Sequence, residues 1–243
     1  MNHKNHHLFP VYAGFSLLLI FSIIIKMTLI SATSQPADQS DDKDYTPMNA
    51  TVLEIIKEAG LTDPELAAEL HKIYEATRRF EDVEVALEEG YIRDPMNMCE
   101  PASAAGLPSF LGAMGIHYFR PDVLGITETE PRVNGTSVHT DFRNPAILIY
   151  EPQNDGSMEL VAVENLVFHE AWHAAGNESP PDFMGYEYFY MINNPLTDFD
   201  EAHMFEPHYD LHIWLYRKNP HGLLLPFNPA VSCDNHMADM HMD

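Results

Sequence analysis

Near its C-terminal end the chain carries the stretch His208-Tyr-Asp-Leu-His-Ile-Trp-Leu-Tyr-Arg217, which alternates two kinds of side chain. Tyr209, Leu211, Ile213 and Leu215 fall on one side, and His208, Asp210, His212 and Trp214 on the other. That is the period of a strand with two distinct faces. A helix would pair His208 with His212 at i,i+4 but would scatter the apolar set. The strand reading turns the apolar residues to a core and lines up His, Asp and His opposite, roughly 7 Å apart. Imidazole and carboxylate are the usual ligands of a divalent transition metal and the usual members of acid–base pairs.

Upstream, Thr62-Asp63-Pro64-Glu65 has the marks of a helix start: a capping side chain, an early proline and acids in the first turn. From there Leu66, Leu70, Ile73, Tyr74, Phe80, Val83, Ala86 and Leu87 keep a 3.6-residue period as far as Gly90, predicting one long helix or two collinear ones. A shorter helix is expected over 48–59, with Gly60 as its C-cap. Strands are expected at 114–119, 146–150 and 158–168, the last two joined by the turn Asn154-Asp-Gly156. Residues 121–145 and 180–201 look like long connections, and 226–233 like an extended closing segment. Helices first and strands later predict an α+β fold, with N-terminal helices packed on a mostly antiparallel sheet.

Lys and Arg number 13 against 37 Asp and Glu, a formal charge of −24, so the chain should repel phosphate backbones and nucleic acid is excluded as a partner. Residues 1–34 combine a polar start with the apolar run Leu8 to Ile25 and the small residues Ala32-Thr-Ser34, a signal peptide or an uncleaved membrane anchor. Either predicts export, with membrane contact only through that segment if it stays. Residues 35–47 read as a solvated linker, 48–233 as a single domain and 234–243 as a Met/His-rich tail. In an oxidising compartment Cys99 and Cys233 are most simply one disulfide, with a thiol pair or thiolate site as the other reading.

Two constellations could carry chemistry. His169-Glu-Ala-Trp-His173 fits H-E-x-x-H, in which a helix presents both imidazoles to zinc and Glu170 acts as general base. Ser179, however, stands where the longer form of that motif has its third histidine. The second set is dispersed: His117, Glu164, and the row His208, Asp210, His212. A Glu164 set among Val, Ala and Leu needs a partner, which a metal or an imidazolium supplies. The tail beyond Cys233 adds thioether and imidazole groups that suit copper.

Several stretches together also resemble a family of exported bacterial proteins of unassigned function. They are Gly112-Ala-Met-Gly-Ile-His-Tyr118, Leu160-Val-Ala-Val-Glu164, Tyr209-Asp-Leu-His-Ile-Trp-Leu215, Asn219-Pro-His-Gly222 and Phe227-Asn-Pro-Ala-Val-Ser-Cys233. The resemblance covers roughly residues 76 to 233 and places His117, Glu164, His208 and His212 inside family-type motifs. It shares Ala171-Trp172 rather than His169 and Glu170, which favours the dispersed set. The expectation is therefore an exported domain that binds a transition metal, copper or zinc, through His117, Glu164, His208 and His212, with Asp210 orienting an imidazole. The alternatives are a zinc hydrolase using His169, Glu170 and His173, and a metal-free envelope module for a small ligand or another protein.

Overall fold

The computed structural model describes residues 54–57 and 62–237. The expected leader and linker, most of the expected first helix and the end of the tail lie outside them. Residues 54–57 are helical, with Ile55 and Ile56 buried. In chain order, α1 (Pro64–Thr77), a 3₁₀ turn (Arg78–Glu81) and α2 (Val83–Glu88) lead to β1 (Ile92–Arg93), β2 (Cys99–Pro101) and β3 (Ala113–Phe119). A short α3 (Pro121–Leu124) and strands β4 (Ile126–Glu128) and β5 (Asn134–Gly135) precede β6 (Ile147–Pro152) and the eleven-residue β7 (Met158–Phe168). Then come α4 (His169–Ala174), β8 (Asp182–Phe183), β9 (Tyr186–Glu187), β10 (Phe189–Met191) and β11 (His208–Ile213).

The main sheet runs β1-β3-β6-β7-β11-β10, with β2 also on β3, and all its pairings are antiparallel. This is the α+β arrangement the order of elements predicts. Helix α1 starts where expected: the Asp63 carboxylate accepts from the amides of Glu65 (2.9 Å) and Leu66 (3.4 Å). Its stripe Leu66, Leu70, Ile73 and Tyr74 is buried. The helical period that the sequence carries on to Leu87 is broken at Asp82. That residue is extended (φ −90°, ψ 108°), and its carboxylate caps α2 by accepting from the Glu84 amide at 3.1 Å. Phe80, in the break, is buried edge-on against Tyr91 at 5.0 Å, and its carbonyl accepts from the Tyr150 hydroxyl at 2.7 Å. Tyr74 meets Tyr216 at 5.3 Å and Thr77 bonds the Tyr216 hydroxyl at 2.7 Å. The helices thus cover the sheet face that carries Tyr150.

Loops cover the other face. Phe205, in the segment before β11, packs against Phe119 (6.1 Å), Phe168 (6.3 Å) and His208 (5.5 Å). Every residue of β11 is therefore buried, on the polar face as well as the apolar one. Two connections are more ordered than their composition suggests. Residues 121–145 hold α3 and the β4–β5 pair, and 180–201 hold the β8–β9 pair and the edge strand β10. Residues 226–233, expected as one extended segment, instead bend at 226 and turn at 229–230, and meet the sheet through the bridge of Asn228 to Ala113. The expected Cys99–Cys233 disulfide is present and closes a separation of 134 residues. A loop that long contributes about 5 kcal/mol in the chain-entropy account. Among the described residues no helix is long and apolar enough to cross a membrane.

Candidate metal centre

Strand register builds the site. In the β7–β11 pair His212 stands opposite Glu164, and Glu164 stands opposite Ile147 across β6. In the β3–β6 pair His117 stands opposite Ile149. Directly opposed residues project to the same side of a sheet. His117, Glu164 and His212 therefore share the loop-covered face, with β6 between the first and the other two. His117 Nε2 lies 3.3 Å and His212 Nε2 3.4 Å from one oxygen, Glu164 Oε2. The three side chains are 8%, 0% and 3% exposed for His117, His212 and Glu164. The two rings stand nearly perpendicular with centroids 6.3 Å apart, and Trp214 lies parallel to His212 at 6.0 Å, fixing its plane.

Those separations are long for charge-assisted hydrogen bonds, which run about 2.7–2.9 Å. Glu164 Oε2 and both His212 nitrogens in fact have no hydrogen-bond partner among the described residues. Donors about 2.0–2.1 Å from a tetrahedral zinc ion stand about 3.3–3.4 Å from one another. The three donor atoms lie within 4.8 Å of each other, and they are the one group of three or more His, Cys, Asp or Glu that converges so among the described residues.

Charge distributes unevenly over the group. Burial favours a neutral Glu164, but the fields of His212 and His117 and the contact with His117 overturn it, holding the carboxyl below its ordinary range. Burial also opposes a charged His117; the Glu164 contact and the charges of Glu164 and Glu100 prevail and raise it. His212, equally buried, is pushed down to about 4. Glu164 and His117 are thus each drawn toward the charged form, and His212 toward the neutral one.

His208 and Asp210 share the face but stand apart from this group. His208 Nδ1 donates to the Glu206 carbonyl at 2.8 Å, since that oxygen can only accept. Its Nε2 lies 3.8 Å from Asp210 Oδ2, beyond hydrogen-bond reach. Burial lowers His208 to about 4, while burial and the Glu164 charge raise Asp210 well above its ordinary value. Asp210 Oδ1 has no hydrogen-bond partner among the described residues, and the expected role of Asp210 in orienting an imidazole has no bond to His208 behind it.

The H-E-x-x-H segment does form a helix, α4, but one of six residues. Its spacing brings the His169 and His173 rings to 4.5 Å. His173 is already committed. Nδ1 donates to the Asn177 carbonyl at 2.6 Å, so Nε2 accepts from the Tyr209 hydroxyl at 3.0 Å. Trp172 Nε1 donates to the Ser179 carbonyl at 2.7 Å, tying the helix to the loop after it. Glu170 is exposed, and no third donor joins the two histidines in a convergent group among the described residues.

Sequence reasoning missed a second buried pair, Glu100 and His203, with Glu100 Oε2 and His203 Nδ1 3.5 Å apart. Both sit in segments without periodicity. The available signal was that Glu100 follows a disulfide cysteine, whose neighbours are held in place. No family model matches the chain, and no curated protein or solved structure matches it either, so the site rests on its own geometry.

Proposed function

We propose that this protein binds a divalent transition metal, zinc or copper, through His117, Glu164 and His212, and does so in an exported compartment. The observation that carries the reading is the arrangement around Glu164 Oε2. Two buried imidazole nitrogens stand at 3.3 and 3.4 Å from it, at coordination-edge rather than hydrogen-bond distance. Three protein donors leave a fourth position open, as in sites that exchange or activate a ligand rather than purely structural ones. Two imidazoles and a carboxylate suit zinc, and copper(II) competes for the same donors because it binds such sites more tightly. The Cys99–Cys233 disulfide supports an oxidising environment.

Zinc titration of untagged full-length protein against a chromophoric chelator tests this. An ion held by the wild type and lost with His212→Gln and with His117→Gln is expected, while His169→Gln should keep it. Retention of the wild type's full metal complement in the His212→Gln protein would end the proposal.

A further inference from the structure

The polar interior continues past the triad. Glu100 is the middle residue of β2 and follows the disulfide cysteine Cys99; His203 lies in the loop before β11. Their side chains are 7% and 5% exposed, and their 3.5 Å separation is again that of two donors on one ion. Neither His203 nitrogen has a hydrogen-bond partner among the described residues. An imidazole always carries at least one N–H, and a buried one left unbonded is disfavoured.

The loop is built to hold that ring in place. His203 and Met204 have φ of +50° and +67°, left-handed values that residues other than glycine seldom take. Arg132 pairs with the Asp200 carboxylate and donates to the Phe205 carbonyl at 3.1 Å. The Met204 amide donates to Asp200 Oδ2 at 2.8 Å, and the His203 ring rests edge-on against Phe227 at 6.1 Å. Cys99 stands opposite Ile116 on β3, so Glu100, the next residue of β2, falls on the sheet face that carries His117.

We propose that Glu100 and His203 hold a second divalent cation, on the same sheet face as the triad. It rests on the reading of the triad as a metal site. Two protein donors leave this ion several positions for water or an exchangeable ligand. The imidazole–carboxylate mixture fits zinc and also manganese or ferrous iron.

Zinc is the probe. Full-length untagged protein is saturated, stripped of loose ions on a weak chelating resin and analysed for bound metal. Two equivalents are expected in the wild type, one in the Glu100→Gln/His203→Gln protein and one in His212→Gln. Cobalt(II) titration of the wild type, followed by its visible absorption, counts the same positions without any substitution and should grow to two equivalents. Saturation at one equivalent that His212→Gln removes overturns the second position and leaves the triad standing. Two equivalents that both persist in the double variant also overturn it. Uptake of no ion overturns both readings. Should the double variant fail to fold, the cobalt endpoint of the wild type decides.

Discussion

Two histidines on one turn of α4 and two on separate strands end with ring centroids 4.5 and 6.3 Å apart. What differs is the company they keep. Between His117 and His212 stands a buried carboxylate oxygen with no hydrogen-bond partner of its own among the described residues. Beside His169 and His173 stand tyrosines, with Tyr190 5.0 Å from His169 and the Tyr209 hydroxyl on His173 Nε2. The first pair has lone pairs and a negative charge to offer a cation. In the second, His173 has given its free lone pair to a phenol and serves to fasten α4 to β11. Helical spacing brings imidazoles together, but convergence of a third donor makes a site.

The sharpest way to break this contrast is to remove the oxygen. Glu164→Gln should lower zinc affinity at the triad by at least about 100-fold, more than loss of an outer partner costs a metal site. Glu170→Gln should leave affinity unchanged in the same competition titration.

Acid should separate the two regions next. His208 and His212 are held at about 4 in the folded protein, against 6.5 when unfolded. The unfolded chain therefore binds more protons between those values, and stability falls as pH drops from about 6.5 to 4, by several kcal/mol for the two together. Glu164, depressed below 4.5, extends the loss at lower pH. His117 works the other way: its value is raised, so its contribution is full below 6.5 and fades as pH rises through its folded value. Urea unfolding of metal-free protein across this range measures the balance, and a flat profile would contradict the buried, neutral state of His208 and His212.

A smaller effect belongs to the α4 segment. Tyr209→Phe deprives His173 Nε2 of its donor and should cost about 1 kcal/mol of stability without touching metal affinity. A change in affinity would tie α4 to the site after all. The smallest signal is a proton. The Glu164 contact draws His117 toward its protonated form, and a metal ligand must be unprotonated, so uptake should release protons in a number that grows as pH falls. Calorimetry in two buffers of different ionisation enthalpy reads that number.

Much of this was legible from residue patterns. The period-2 alternation of 208–213 and the apolar run of 158–168 identify the two strands whose register opposes His212 to Glu164. What alternation cannot supply is reach. His208, Asp210 and His212 share a face, yet only His212 lies opposite the carboxylate, because pairing register comes from the partner strand. Nor could periodicity find the break at Asp82, where a local cap outcompetes the helix, or His203, whose position depends on Asp200 and Arg132 meeting across the fold.

The double cover over the sheet has one more implication. His212 is wholly buried beside Trp214, and loops close over the same face where Phe205 packs on His208, so an arriving cation needs a path through that cover. Loading and escape must wait on brief openings of that lid of loops, so residence time at the centre would follow how often the segment before β11 lifts, however tightly the donors themselves grip.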